Sequence, residues 1–231
     1  MTIIKKLSVI VPVYNEKETI KEIIKRVDQV NIPKEIIIVD DGSTDGTTKI
    51  IKSLKTKKSQ LKIIIQPINM GKGAAIRTGI KRVTGEYVLI QDADLEYDPQ
   101  DYLKLIKPIK AKKAQVVYGS RFTGERRNMF FWHWVANNLL TLITNILYNS
   151  TLSDMETCYK IFPTKLIQSL KLKCTGFEFE PEVTAKILKQ GIRIYEVPIS
   201  YAGREYSEGK KITWTDGLTA LGTLFWFRLF N

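Results

Sequence analysis

Two aspartates separated by one residue, Asp92 and Asp94, are the groups in this chain whose type and spacing point most directly to chemistry. They follow an apolar run, Tyr87–Ile90, that is typical of a buried strand. Paired carboxylates at a strand end supply oxygen ligands to a hard divalent cation, which often also binds substrate phosphates. We therefore predict a metal site that stabilises a departing diphosphate. A short acidic surface turn is the alternative interpretation of the triplet alone.

Hydrophobic patterning predicts the elements that position this turn. Apolar runs predict strands at residues 7–13, 35–39, 62–66 and 87–91. Amphipathic segments between these runs predict helices. Continuous apolar strands alternating with helices favour an α/β fold, Rossmann-like, with a mainly parallel sheet and helices on both faces.

The polar loops of this pattern converge on one edge of the predicted sheet. Ligands of such sheets bind beyond the carboxyl ends of the strands. Four polar loops fall at those ends: 14–16, 40–45, 69–73 and 92–96. This convergence, more than any single motif, predicts one binding site.

Neither an internal repeat nor a Pro/Gly/Ser-rich linker divides the chain, so residues 1–231 are predicted to form a single domain. The apolar segment 214–231 is expected to be buried or to form an interfacial helix. No apolar stretch reaches the roughly 18 residues that span a bilayer. We expect no transmembrane helix and a soluble or peripheral protein.

The amino-acid composition indicates which classes of partner the chain could bind. The chain has 36 Lys and Arg against 24 Asp and Glu, a net charge of +12, which attracts anionic membranes, nucleic acid or phosphorylated substrates. A generally lysine-rich proteome would give the same balance. No nucleic-acid-binding motif occurs, so we predict no nucleic-acid partner. Cys158 and Cys174 have no metal-binding spacing and are expected to be reduced thiols in the cytoplasm.

Two further segments have the chemistry of anion binding. Asn69–Gly73 lies between a predicted strand and helix, where glycines permit close backbone approach and a helix N-terminus favours anions; its spacing is not that of a P-loop or a dinucleotide fingerprint. Arg126 and Arg127 precede the aromatic cluster Phe130–Trp134. Arginine beside aromatic rings suits a lipid phosphate at a membrane interface, although a core helix with a charged start would look similar.

Four short motifs follow one another along the chain: Ser8–Glu16, Val39–Asp45, Asn69–Gly73 and Asp92–Asp94. Together they resemble inverting family 2 glycosyltransferases with a GT-A fold. Gly119–Phe122 further resembles polyprenyl-phosphate sugar synthases, such as dolichol-phosphate mannose or glucose synthases. The resemblance extends from residue 7 to about residue 215.

The resemblance implies that Pro12, Tyr14 and Glu16 line a nucleoside pocket and that Asp41 accepts hydrogen bonds from base N–H groups. It also assigns a set of residues to the nucleotide sugar beyond the nucleoside: Gly71, Lys72, Asp92, Arg204 and Lys211. Arg204 and Lys211 would lie on a loop that closes over the diphosphate; a solvent-exposed basic turn is the alternative. Asp40 and Asp41 are also typical of turn and helix-cap positions.

By the same resemblance, Asp94 is a direct ligand of Mg²⁺ or Mn²⁺, Asp92 contacts the metal or the ribose, and Glu96 is either a third ligand or a solvated acid. The catalytic residues would be Asp94, Arg121 and Asp154. Arg121 would hold the acceptor phosphate or the donor diphosphate.

Arg126 and Arg127 would join Arg121 in binding the acceptor. Asp154 would be the base if an alcohol is deprotonated. A phosphate acceptor is already ionised at neutral pH. Asp154 or Glu156 would then orient arginines, with Glu156 paired to Arg121 or Lys160.

The sequence thus predicts a metal-dependent, inverting transfer of a hexose from UDP-glucose or GDP-mannose to a polyprenyl or dolichyl phosphate. The enzyme would be peripheral at the cytoplasmic face of the membrane and serve the cell envelope. A glycosyltransferase acting on a sugar hydroxyl is the first alternative. A nucleotidyltransferase and a non-catalytic binding module are the others.

Overall fold

The computed structural model describes residues 4–54, 60–205 and 214–230. Within these ranges seven strands form one sheet in the order β3-β2-β1-β4-β6-β5-β7. The strands are β1 (Leu7–Val13), β2 (Lys34–Asp40), β3 (Leu61–Ile65), β4 (Tyr87–Ile90), β5 (Val116–Ser120), β6 (Lys160–Pro163) and β7 (Ile194–Pro198). The helices are α1 (Ile20–Gln29), α2 (Thr47–Ser53), α3 (Lys72–Ile80), α4 (Tyr102–Lys110), α5 (Phe131–Tyr148), α6 (Thr164–Ser169), α7 (Phe179–Lys189) and α8 (Trp214–Leu229).

The central strand β1 shows why the sheet is parallel. Every residue of β1 is buried, and the strand pairs in parallel with β2 on one side and β4 on the other. A central parallel strand is covered on both faces, so its apolar pattern is continuous rather than alternating. The predicted α/β fold with a mainly parallel sheet is confirmed.

Strand β6 lies in a part of the chain, between residues 150 and 191, where the sequence predicted no element. It runs antiparallel to both of its neighbours, so that Ile161 lies between Leu89 of β4 and Val117 of β5. With only four residues, beginning at a lysine, β6 has too short an apolar pattern to be recognised. Its insertion brings the segment 154–160 to the end of β4, beside the paired aspartates.

Helices α5, α7 and α8 enclose a second apolar cluster beside the main core: Tyr148, Leu152, Met155, Ala185, Leu224 and Phe227. The outer surfaces of α5 and α8 remain apolar. All four tryptophans of the chain lie on these two helices and are exposed, Trp132 and Trp214 by more than three quarters. No helix in the described part of the chain combines the length and apolar character needed to cross a bilayer.

Candidate active site

Polar loops gather at the carboxyl ends of β1, β2 and β4, as the pattern predicted. The loop after β1 is joined to the loop after β2, because the Asn15 N–H donates to Ser43 Oγ at 2.9 Å and Asn15 Oδ1 accepts from the Thr44 N–H at 2.8 Å. Pro12 is buried in β1 opposite Val39 of β2, and the partly buried Tyr14 follows the strand. The backbone is therefore tied together where a nucleoside was predicted to bind.

Arg204 links Glu16, in the loop after β1, to the acidic turn formed by residues 92–96. Its Nη2 lies 2.7 Å from Glu16 Oε2, and its Nε donates to the backbone oxygen of Asp94 at 2.8 Å. The Arg204 backbone N–H also donates to Glu96 Oε1 at 2.8 Å. Burial opposes its charge, but Glu16 and Asp94 raise the pKa of Arg204 above its usual value. A permanent cation thus lies between two of the predicted donor-binding loops. Lys211, its predicted companion, lies outside the described residues.

The acidic turn after β4 is only partly neutralised. Asp92 Oδ1 lies 2.8 Å from the ammonium of Lys72, whereas Asp94 Oδ1 accepts a single 3.1 Å bond from the Glu96 N–H. Burial, together with repulsion from Asp92 and Glu96, raises the pKa of Asp94 to about 8. A carboxylate so disfavoured is stabilised by a divalent cation, and its oxygen atoms suit Mg²⁺ or Mn²⁺. Asp92 and Asp94 therefore fit the predicted cation.

Glu96 does not complete a three-carboxylate cage. Its Oε2 accepts from the Tyr201 hydroxyl at 2.7 Å, and its Oε1 is held by Arg204. In residues 4–54, 60–205 and 214–230, no group of three Asp, Glu, His or Cys side chains is arranged to hold a metal ion. The Glu96 carboxylate is turned toward the 201–204 segment, and its role as a third ligand stays a prediction.

Asp41 holds the glycine loop in place. One carboxylate oxygen accepts from the Gln66 side chain and from the Met70 N–H at 2.8 Å, and the other accepts from the Gly71 N–H at 2.8 Å. Burial raises the pKa of Asp41, and these bonds oppose the rise. Asp41 is thus an anchor for the loop that precedes α3, a role the sequence did not suggest. Its contact with a base stays a prediction.

The start of α3 does not present its backbone N–H groups to an anion in the way that was predicted for Asn69–Gly73. The N–H groups of Gly73 and Ala74 donate to the carbonyl oxygens of Gly176 and Thr175, at 3.2 and 2.9 Å, so they are not presented to a phosphate. Gly71 has φ +95°, and a Cβ there would lie 2.4 Å from the Thr175 oxygen. The glycines therefore serve close contact between two backbones, and Lys72 alone carries charge from this loop toward Asp92.

Arg121 and Asp154 form a buried pair. Arg121 donates from Nε and Nη2 to the two Asp154 oxygens, each at 2.7 Å, and from its backbone N–H at 2.9 Å. A third side chain, Asn137 of α5, accepts from Nη2 at 3.1 Å. Burial opposes its charge, but Asp154 raises the pKa of Arg121 above its usual value. Asp154, which is fully buried, is thus placed to orient an arginine, which is one of the two roles predicted for it. Its role as a base stays a prediction.

The other predicted acceptor residues lie beside this pair. Arg126 is exposed, stacks on the Phe122 ring with 5.2 Å to the centroid, and donates weakly to the Arg121 carbonyl oxygen at 3.4 Å. Arg127 forms an exposed ion pair with Glu205 at 2.9 Å. A cleft of about 440 Å³ is lined by both arginines, Glu96 and Tyr201.

The sequence missed a buried ion pair next to the acidic turn. The ammonium of Lys160 donates to Glu180 of α7 and to the backbone oxygen of Thr157. Glu180 also lies 3.6 Å from Lys72, so charges alternate from Asp92 through Lys72 and Glu180 to Lys160. The expected pairing of Glu156 with Arg121 or Lys160 is therefore replaced by Asp154 and Glu180. Twenty residues separate Lys160 from Glu180, and no local pattern connects them.

Comparisons with known proteins agree with this architecture. The model of the family described as glycosyl transferase family 2 matches residues 8–170. The low-salt glycan biosynthesis hexosyltransferase Agl6 of Haloferax volcanii is 31% identical over 205 residues, which cover 86% of this chain and 48% of the relative. The chain thus spans about half the length of this relative.

Among solved structures, the glucosyl-3-phosphoglycerate synthase of Mycobacterium tuberculosis in complex with Mn²⁺, UDP and phosphoglyceric acid superposes with a TM-score of 0.76. The alignment covers 98% of this chain and 80% of that one at 19% identity. Its complex with Mg²⁺ and UDP gives a TM-score of 0.71 at 20% identity, covering 96% and 79%. At these identities the likeness establishes the GT-A fold alone.

Proposed function

The chain belongs to glycosyl transferase family 2, and on that premise we propose that it transfers a hexose from a nucleoside diphosphate sugar to a polyprenyl phosphate, with inversion and with Mg²⁺ or Mn²⁺. One observation carries the donor half of the proposal. Asp94, Glu16 and the Arg204 cation meet at the carboxyl edge of the sheet, where ligands of such sheets bind.

Asp92 and Asp94 are the residues that would hold the cation, which supplies charge neutralisation for the leaving nucleoside diphosphate. Mg²⁺ is commonly bound by one or two carboxylates together with substrate phosphates, so two aspartates are sufficient. Lys72 and Arg204 add fixed positive charge on either side of the turn. The 31% identical relative is itself named a hexosyltransferase, and its class of reaction supports the same proposal.

The acceptor half rests on Arg121 and on the aromatic helices. Arg121 is aligned by Asp154 and Asn137 through Nε and Nη2, so the N–H groups of Nη1 are the donors that would bind the acceptor phosphate. Arg126 and Arg127 lie just before α5, a helix without any charged residue. Exposed tryptophans on α5 and α8 suit the interface of a bilayer, where a polyprenyl phosphate is presented. These exposed rings support the proposed contact with a membrane, and we propose that the enzyme acts at its cytoplasmic face.

The nucleotide, the sugar and the metal are tested together. Purified protein is incubated with UDP-glucose or GDP-mannose, a short polyprenyl phosphate and Mn²⁺ or Mg²⁺, and the polyprenyl phosphohexose is quantified. We expect product from one donor, none with EDTA, and at least about a hundredfold loss in Asp94→Asn. Asp98→Asn is the matched control, because Asp98 lies in the same loop, is exposed and caps the Gln100 N–H at 3.0 Å. Equal activity of Asp94→Asn and wild type would refute the site.

Membrane contact has its own experiment. Trp132→Ser and Trp226→Ser are expected to reduce co-sedimentation with vesicles that contain anionic lipid, since both side chains are exposed on α5 and α8. Leu103→Ser is the control, because Leu103 is also about half exposed but lies on α4. Equal losses in all three variants would contradict a specific membrane face.

A sugar hydroxyl remains the second candidate acceptor. It is favoured by the name of the Haloferax relative, which places that protein in glycan biosynthesis. Transfer to a sugar alcohol with no transfer to polyprenyl phosphate, in the same assay, would decide for it.

A further inference from the structure

Three buried oxygen atoms next to the acidic turn have no hydrogen-bond partner in the described part of the protein: Glu156 Oε1, Thr157 Oγ1 and Glu180 Oε1. Thr157 is fully buried and Glu180 is nearly so. Leaving a buried polar atom unsatisfied costs about 1–3 kcal/mol, and native proteins retain few such atoms. Three of them in one neighbourhood indicate a place that a polar ligand completes.

Lys160 contacts two of the three residues, through other oxygen atoms. Its ammonium donates both to the Thr157 carbonyl oxygen and to Glu180 Oε2, so the Thr157 backbone and the Glu180 carboxylate meet at one cation. The other Glu180 oxygen lies 3.6 Å from Lys72, whose ammonium is 2.8 Å from Asp92 Oδ1. Thr157 and Glu180 are therefore linked by two lysines to the turn that would hold the diphosphate, and Glu156 precedes Thr157 in the chain. In a donor molecule, the hexose is attached to that diphosphate.

The chemistry of the atoms selects the class of ligand. Two are carboxylate oxygens that accept hydrogen bonds, and the third is a hydroxyl that accepts or donates. Lys72 and Lys160 already face the Glu180 carboxylate, and the acidic groups disfavour an anion. A neutral ligand with several O–H donors fits, which describes a hexose ring.

We infer that Glu156, Thr157 and Glu180 form the subsite that binds the hydroxyl groups of the transferred hexose. The inference rests on the proposed function and extends it, because it names the residues that discriminate between sugars. A site that hydrogen-bonds a substrate hydroxyl rejects an analogue that lacks it far more strongly than an apolar pocket does.

Calorimetric titration of the metal-loaded protein tests the subsite. Wild type and Thr157→Val are titrated with UDP-glucose and GDP-mannose, and in parallel with UDP and GDP. We expect Thr157→Val to weaken the binding of the nucleotide sugar about tenfold and to leave the affinity for the free nucleoside diphosphate unchanged. Thr144→Val is the matched control, since Thr144 is equally buried but its hydroxyl is satisfied by the Leu140 carbonyl at 2.8 Å.

Deoxy-sugar analogues of the accepted donor identify the hydroxyl. One analogue should bind wild type and Thr157→Val with equal affinity. This analogue lacks the sugar hydroxyl that would otherwise bond to the side-chain oxygen of Thr157. Glu156→Gln, which keeps the side-chain shape, provides the same comparison if Thr157→Val does not fold. If the variant binds the nucleotide sugar and the free nucleoside diphosphate equally more weakly, or binds both as well as wild type, the proposed subsite is wrong. A resident water would then be the partner of the buried oxygens. Failure of wild type to bind any nucleotide sugar would instead refute the proposed function, and the inference with it.

Discussion

Replacing Asp154 with alanine should leave the guanidinium of Arg121 buried without its counter-charge. The aspartate is fully buried and the arginine is 7% exposed, and three bonds of 2.7–2.9 Å join them. Removing one partner of such a pair costs about 3–5 kcal/mol. For a domain of this size, about 2–4 °C in Tm accompanies each kcal/mol. A loss of roughly 6–20 °C is expected on that scale.

A double-mutant cycle measured by urea unfolding isolates the pair. Asp154→Leu and Arg121→Met are each expected to destabilise strongly, whereas the double variant should be more stable than the sum of the two costs implies, because neither charge is then left alone. The exposed pair between Arg127 and Glu205 is the control, with a coupling of at most about 1 kcal/mol. Strictly additive costs at Arg121 and Asp154 would refute the reasoning.

The same pair distinguishes positioning from base catalysis. If Asp154 orients Arg121, Asp154→Asn should raise the KM for the acceptor and leave the shape of the pH–rate profile unchanged. Loss of the acidic limb of that profile in Asp154→Asn alone would instead identify Asp154 as the base.

Other predictions concern stability. Burial opposes the charge of Glu35, but hydrogen bonds led by that from Lys62 lower its pKa from 4.5 to about 2. The contribution of the ionised Glu35 carboxylate to the free energy of unfolding is therefore complete above about pH 4.5 and is lost as the pH falls toward 2. Glu35→Gln should be less stable than wild type at pH 7 by about 2 kcal/mol. The difference between their urea midpoints should close at low pH. Gly71→Ala should cost at least about 1–3 kcal/mol in the same assay, because φ is +95° and the new Cβ would meet a backbone oxygen. Gly222→Ala in α8, where a Cβ meets nothing within 4 Å, should be neutral or stabilising by about 0.5–1 kcal/mol; equal losses at the two glycines would contradict this account.

The amino-acid sequence determined the parts of this protein that depend on neighbours along the chain. A run of apolar residues followed by a polar turn predicts a buried strand and its exit, which is why β1, β2 and β4 and the position of Asp92 and Asp94 followed from local patterning. The order of four short motifs then predicted the family, and the family match confirms it.

Tertiary structure alone decided which charges meet. Asp154 pairs with Arg121 across 33 residues, and Arg204 reaches Glu16 across 188. Nothing in the local pattern distinguishes Asp154 from Glu156 as the partner of an arginine, because a carboxylate two residues away has the same chemistry. The choice depends on how β6, a four-residue antiparallel strand, inserts between β4 and β5, and burial then requires each charge to have a counter-charge within reach.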